Sequence, residues 1–441
     1  MKYSHYNTQI SLTEQVSAIY NALSDKFVII KNSIIDDLNF PANELLQKNN
    51  KLYYELLKAG VVVEGYFNEY EKIRNRSREI DKNPKTFQLM LNPTLDCNLK
   101  CWYCYEKHVK GSKFSPSTIE NIKKFVSKIF DRYKDLEIFY LNFFGGEPLI
   151  GFTKTNQLIQ YVSYKCKERN VKLEISFSSN GVLVNENIVV FLKLQSESIS
   201  FQITLDGGKE YHDKTRFLQS KKGTYKTIVQ NIRLLAQNKI FVILRINYTE
   251  ENLHSVPSVL TDIKDWDEDC KSFVKLDFQQ VWQDNHTKLE IDSLLESFSN
   301  AGFAVSSPNH NVDNLRFPCY ADSLNQALIN YNGDVYKCTA RDFTTENRCG
   351  YLSESGDIVW TKNRPEERIE KKMQKETCIN CSILPLCGGG CSQKCIEGCY
   401  GDDCTYGYDE KAKKEIVLNR FYNYFVRNHE ASTDIQAVGK Q

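Results

Sequence analysis

The sequence lacks a dominant charge. Its 57 lysines and arginines stand against 56 aspartates and glutamates, a formal charge of +1, so no global field exists to recruit nucleic acid or an anionic membrane. It also lacks a long apolar run: no stretch reaches the ~18 residues that a membrane-spanning helix needs. The opening "MKYSHYNTQISLTEQV" has no basic start followed by an apolar core, which predicts a cytoplasmic protein. Internal repeats and low-complexity tracts are missing too, which removes repeat architectures from consideration.

What the chain has is length and cysteine. With 441 residues it can bury a sizeable core and hold two or three domains. Fifteen cysteines without an export signal point to metal or redox chemistry rather than to disulfides. Cys97, Cys101 and Cys104 crowd into "NPTLDCNLKCWYCYE", and the later ones, Cys166 and Cys270 apart, run from Cys319 to Cys404. Those two read as small buried hydrophobes.

Residues 1–80 read as a separate helix–strand module: "KFVIIK" and "AGVVVEGYF" are β-type runs, and residues 42–57 carry Leu and Tyr at helical spacing. The charged stretch "NEYEKIRNRSREIDKNPK" marks its boundary. From Phe87 strands alternate with amphipathic helices. The strands are "FQLMLNP", "IFYLNFFGGEP", "LEISFSSNG", "SISFQITLDGG", "FVILRINYT" and "FVKLDFQQV", with helices between them in "STIENIKKFVSKIFDRY", "TNQLIQYVSYKCKERN", "NENIVVFLKLQ", "TYKTIVQNIRLLAQN" and near Val256–Ile263. Such alternation predicts a parallel α/β fold, an open sheet or a partial barrel, with chemistry at the strand C-termini. The unusual residues sit there: the three cysteines after the first strand, Gly145–Glu147 after the second, Ser179–Gly181 after the third, Asp206 and Gly207 after the fourth, Arg245 and Asn247 at the fifth. On the sixth, the alternation leaves undecided whether Asp277 and Gln279 face the cavity, so no general base is chosen and a structural role is the leading reading. Beyond residue 310 the chain turns cysteine-rich, and "KKEIVLNRFYNYFVRNH" predicts a closing helix before a frayed tail, "EASTDIQAVGKQ".

Three thiolates suit a soft metal and leave one position open, as catalytic metal centres do. The bland alternative is a zinc set completed from afar. C-x3-C-x2-C with an aromatic residue, Tyr103, before the last Cys resembles the signature of the radical S-adenosylmethionine (SAM) superfamily, and the resemblance spans residues 87–300. It implies a partial (β/α)6 TIM-like barrel, a [4Fe-4S] cluster on Cys97, Cys101 and Cys104, and SAM on the open iron. "FFGGEP" is similar to the family's Gly-Gly-Glu-Pro motif, so Gly145, Gly146 and Glu147 would meet the SAM amino group, the Glu147 carboxylate pairing with an ammonium. "SSNG" looks like the ribose and carboxylate loop, with Ser179 and Asn180. "ITLDGGKEYHDKTR" resembles an S-x-D-G, H-D, R segment of peptide-modifying members, with Thr204 where Ser is usual; Thr204 and Arg216 become SAM contacts, while His212 and Asp213 also read as a turn and cap.

Cys378, Cys381, Cys387 and Cys391, with Cys319 and Cys338 upstream, resemble the SPASM domain and its two auxiliary [4Fe-4S] clusters. That resemblance assigns Cys319, Cys338 and Cys391 to the first and Cys378, Cys381, Cys387 and a later cysteine to the second; among Cys395, Cys399 and Cys404, the longer gap favours Cys404. Cys349 or an open iron completes the first. The turn "NGD" presents Cys338. The expected organisation is a winged-helix-like module at 1–80 for leader recognition, the barrel at 87–300, SPASM at 310–408 and a helix and tail at 409–441. The expected function is a maturase that cleaves SAM to a 5′-deoxyadenosyl radical and installs a thioether or carbon–carbon crosslink in a ribosomally made precursor peptide, with flavodoxin or ferredoxin as electron donor. A sulfatase-type maturase making formylglycine is the alternative enzyme, and an inactive cluster- or zinc-bearing binding protein the alternative without activity.

Overall fold

The computed structural model describes residues 1–284, 289–307, 312–398, 401 and 403–430. It divides into two compact units.

The first unit comprises Asn83–Pro308, in its described residues, and Asn325–Arg364. Its strands Ile138–Phe143, Lys172–Ser179 and Ser198–Leu205 alternate along their length. Along Ser198–Leu205 every second residue, Ile199, Phe201, Ile203 and Leu205, is buried, and the polar residues between them are half-buried. The apolar set packs under the helices, continuous with Leu89, Leu141, Ile175, Leu244 and Leu276 from neighbouring strands. The rings of Phe143, Phe177 and Phe201 stack down this face with centroids 4.7 and 4.8 Å apart. Among the described residues the sheet has 11 strands, in the order Ala304–Ser306, Val274–Gln280, Phe241–Tyr248, Ser198–Leu205, Lys172–Ser179, Ile138–Phe143, Thr86–Asn92, Gln326–Asn330, Asp334–Tyr336, Gly350–Leu352, Ile358–Trp360. From Ala304–Ser306 to Gln326–Asn330 neighbours are parallel; the last three pair antiparallel. This is the expected α/β architecture, a large parallel-dominated sheet that fits a partial barrel.

Parallel sheets are ordinarily apolar on both faces. Here the second face carries Asn142, Ser176, Ser178, Gln202, Thr204, Arg245 and Asp277. Register aligns Thr204 with Arg245 and Arg245 with Asp277, so Asp277 and, by alternation, Gln279 share the polar face. A polar interior is what a ligand-bearing barrel requires. Helices fill the connections: Pro116–Arg132 starts at Ser115, whose hydroxyl accepts from Thr118 N at 3.0 Å, with Pro116 in the first turn.

Gln326–Asn330 lies against the first barrel strand. The stretch that carries Cys338 and Cys349 therefore continues the barrel sheet.

The second unit joins Met1–Lys82 to the described residues of Asn309–Leu324 and Pro365–Gln441. An antiparallel sheet of Asn7–Ser11, Val16–Asn21 and Lys26–Lys31 packs Tyr6, Ile10 and Tyr20 into one core with Met373, Ile383, Leu384, Leu386, Val417 and Phe421. Arg420 on the closing helix Glu410–Glu430 forks onto Asp25 at 2.8 and 2.7 Å, and the Thr8 hydroxyl bonds Ser382 Oγ at 3.2 Å. Residues 1–80 are thus not the separate module that the charged boundary suggested: their sheet cannot bury its apolar face alone and uses the cysteine-rich segment as the other half of its core. A buried network lies behind it. Lys372 Nζ stands 3.2 Å from Asp322 and 3.7 Å from Asp81, Ser392 donates to Asp322, and Arg368 donates to Ser392 at 3.0 Å. Among the described residues no helix is long and apolar enough to cross a membrane.

Candidate active site

The cysteine loop is built by docking onto its neighbours. Leu99–Lys100 pairs antiparallel with Phe217–Leu218, which fixes the middle of the loop beside Arg216. Its first residues meet the glycines after the second barrel strand: Gly146 N donates to Thr94 O at 3.2 Å and Glu147 N to Asp96 O at 2.9 Å. A Cβ on Gly145 would lie 2.3 Å from Thr94 O, and one on Gly146 2.3 Å from Asp96 O. Only glycine permits this approach.

Glu147 follows these glycines. Its carboxylate is fully buried and accepts from Leu149 N at 3.0 Å, Ser179 Oγ at 2.9 Å and Asn180 N at 2.7 Å. Its charge also acts on the Cys97 thiol, which lines the cavity. Its physical role is a knot: it ties the Gly-Gly loop to the Ser179–Asn180 loop, and Asn180 Nδ2 in turn donates to Asn98 Oδ1 at 2.7 Å. Burial pushes the Glu147 carboxyl upward, opposed by those donors.

A second knot lies beneath Tyr103. Its hydroxyl donates to Asp206 at 2.7 Å and accepts from Arg216 Nη1 at 2.7 Å and Asn247 Nδ2 at 3.1 Å, and Arg216 stands 3.5 Å from Asp206. Both charges are nearly buried, so each depends on the other. His212 and Asp213 are scaffolding. His212 Nδ1 accepts from Asp206 N and its Nε2 meets Thr224 Oγ1 at 3.1 Å; burial lowers its pKa to about 3, keeping it neutral. Asp213 caps the following helix by accepting from Thr224 N and Tyr225 N at 2.7 and 2.9 Å.

Above these knots is a cavity of about 210 Å³. It gathers Cys97, Cys101, Tyr103, Cys104, Gly145, Gly146, Ser179, Asn180, Thr204 and Arg216 from loops far apart in the chain; Glu147 is outside that lining. Glu106, Gln202, Arg245, Asn247 and Trp282 also line it, and of these only Arg245 and Asn247 were marked by their strand-end position. Asp277 and Gln279 bond each other at 3.0 Å outside that lining.

Burial pushes the Cys97 thiol up to about 12 and Cys104 to about 11, and raises Cys101. A metal is what would ionise such thiols. Among the described residues no three His, Cys, Asp or Glu side chains converge as one ion requires. Three soft donors lining one open cavity fit a multi-iron cluster. In the second unit, Cys387 feels the charges of Cys378, Cys381 and Cys404, and Cys378 those of Cys395, Cys381 and Cys404, so those thiols are neighbours. Cys395 therefore stands with them as well as Cys404, and Cys399 lies outside the described residues. Cys319 and Cys391 belong to this unit. Cys338 and Cys349 belong to the barrel unit, where Cys338 Sγ accepts from Ala340 N at 3.3 Å and the Cys349 thiol donates to Asn347 O at 3.7 Å.

Three thiols, a glycine pair and a buried cation thus meet at the strand ends of an α/β barrel-like sheet. Residues 91–263 match the model of the Radical SAM superfamily, and the chain carries a radical SAM domain. Two curated relatives are similar over most of their length. The cysteine-type anaerobic sulfatase-maturating enzyme of Clostridium novyi (strain NT) is 26% identical over 347 residues, 70% of this chain and 88% of that protein. The radical SAM cyclopropyl synthase TigE of Paramaledivibacter caminithermalis is 23% identical over 424 residues, 88% and 82%. Among solved structures, native anSMEcpe with bound AdoMet and the Kp18Cys peptide has a TM-score of 0.58 at 20% identity, covering 78% of this chain and 99% of that one, which supports the fold.

Proposed function

We propose that this protein is a cytoplasmic radical SAM peptide maturase that installs a thioether or carbon–carbon crosslink in a ribosomally made precursor peptide. The observation that carries the reading is the single cavity in which three thiols, two backbone-exposing glycines, Thr204 and Arg216 meet. When bound, a [4Fe-4S] cluster on Cys97, Cys101 and Cys104 together with SAM supplies one-electron bond cleavage and a carbon radical able to take hydrogen from an unactivated position. The chain's own residues bind and orient. Gly145 and Gly146 offer backbone at close range, the Thr204 hydroxyl faces the cavity, and Arg216 keeps Nε without a partner among the described residues. Tyr105 and Trp282, ring centroids 5.6 Å apart, narrow the mouth against water.

The nearness of Cys378, Cys381, Cys387 and Cys404 supports an auxiliary [4Fe-4S] cluster on them, an acceptor for the electron left on the product radical; the other auxiliary cluster, on Cys319, Cys338 and Cys391, rests on the SPASM resemblance alone. Electrons would enter from flavodoxin or ferredoxin. The strand Lys26–Lys31 is an edge of the N-terminal sheet, a surface to which an extended leader could add. Reconstituted enzyme, a co-encoded peptide, SAM and dithionite should yield a peptide lighter by two hydrogens; SAM cleavage with unchanged peptide mass would refute the reading. A second reading, oxidation of a Cys or Ser to formylglycine, is favoured by the similarity to sulfatase-maturating enzymes; hydrazide labelling of a product aldehyde separates the two.

A further inference from the structure

The cavity holds a second guanidinium besides Arg216. Arg245 lies on the strand Phe241–Tyr248, in register between Thr204 on one neighbouring strand and Asp277 on the other, and it lines the same space as the three thiols. Its Nε donates to Asn247 Oδ1 at 3.0 Å. That amide has one workable orientation. Asn247 is buried and its Nδ2 donates to the Tyr103 hydroxyl at 3.1 Å, and a guanidinium Nε–H can face only the acceptor end. Asn247 therefore holds Arg245 by its side and leaves the end of the guanidinium, Nη1 and Nη2, without a protein partner among the described residues.

This fork has no counter-ion in the barrel. Arg216 is matched by Asp206 at 3.5 Å. Asp277, the register neighbour of Arg245, accepts instead from Gln279 Nε2 at 3.0 Å and Ser306 Oγ at 3.1 Å, and stands outside the cavity lining. Glu106, the one acid in that lining, does not pair with Arg245 either. Two outward N–H groups in one plane match a carboxylate bidentately, and a charged acceptor is bound more strongly than a neutral one. SAM has a carboxylate, but the resemblance gives that cofactor Thr204 and Arg216, and Arg216 keeps its own Nε unpartnered. We propose that Arg245 is the receptor for a carboxylate of the substrate peptide, carried by an Asp or Glu side chain or by the C-terminus, and so selects an acidic peptide. The proposal rests on the reading that a peptide enters this cavity, and adds the chemistry that the peptide brings there.

The test uses the full chain with its clusters reconstituted and SAM bound, as wild type, Arg245→Gln and Arg245→Lys. Two pairs of blocked peptides are compared by saturation-transfer NMR: acetyl-Gly-Glu-Gly-amide with acetyl-Gly-Gln-Gly-amide, and acetyl-Gly-Gly-Gly bearing a free C-terminus with its amide. Wild type should bind an acid roughly tenfold more tightly than its neutral twin, the worth of a charge-assisted hydrogen bond. Arg245→Gln should bind acid and twin alike, and Arg245→Lys, which keeps the charge without the fork, should fall between. Preference in the first pair assigns a side-chain carboxylate, and preference in the second assigns the C-terminus. Equal binding of acid and twin by wild type overturns the proposal, as does a preference that survives in Arg245→Gln. A tenfold loss of SAM affinity in Arg245→Gln, measured by calorimetry, also overturns it by giving the guanidinium to the cofactor. Each of these outcomes leaves SAM binding and cleavage by wild type in place, and with them the reading of function; a wild-type protein that binds no SAM overturns both. Iron content accompanies each measurement, and if Arg245→Gln loses iron, Arg245→Lys decides.

Discussion

Asp206 and Arg216 hold each other in place, with side chains 2% and 12% exposed, and Tyr103 sits on both. Asp206→Ala strands a buried guanidinium, so it should cost roughly 3–5 kcal/mol, seen as a lower urea midpoint, whereas Asp213→Ala removes only a helix cap and should cost about 1 kcal/mol. Replacing Cys97, Cys101 and Cys104 with Ala should abolish SAM cleavage and remove about a third of the iron under the three-cluster assignment; loss of all iron would contradict that assignment. The motif residues were legible because each is a rare residue at a strand end. The Glu147 knot was not, because a motif records that an acid is present and says nothing of where it points.

The six barrel strands and five helices were readable from apolar runs and helical periodicity between turn signals, and the structure has them at those places. The strands Asn7–Ser11 and Val16–Asn21 were not. They bury Thr8, Ser17 and Asn21, so polar residues stand where the pattern expects apolar ones, each bonded: Asn21 Nδ2 to Ser4 Oγ at 2.8 Å, Ser17 Oγ to Asn32 at 2.7 Å, and Thr8 Oγ1 to Ser382 Oγ at 3.2 Å. Gln326–Asn330 is too short and too distant in sequence from its partner to announce the pairing. On helix Glu69–Asp81, burial raises Asp81 to about 6 from 3.8. Below pH 4 the group is protonated folded or unfolded; between about 4 and 6 the folded state holds the proton that the unfolded chain releases. Stability therefore falls as pH rises through that window, by up to roughly 3 kcal/mol, and Asp81→Asn should flatten the slope in thermal melts. At the sheet edge, Ile29 is half-exposed on Lys26–Lys31; under the leader reading, Ile29→Asp should weaken peptide binding about tenfold with iron content unchanged.

At the scale of the molecule, removing residues 1–80 is not a clean way to ask whether they read a leader. The deletion uncovers Met373, Ile383, Leu384 and Val417 together, so the truncated chain should aggregate and bind less iron, measured by gel filtration with iron analysis; a soluble truncation with full iron would show that the shared core is dispensable. The barrel has the opposite economy. Its cohesion comes from the face under the helices, and the polar face turned inward, from Asn142 across Gln202 and Arg245 to Asp277, contributes little apolar burial. Residues there can be exchanged with small effect on folding. A scaffold arranged in this way is free to diversify: a lineage, or an engineer, can rewrite what the trough accepts and keep the same frame standing.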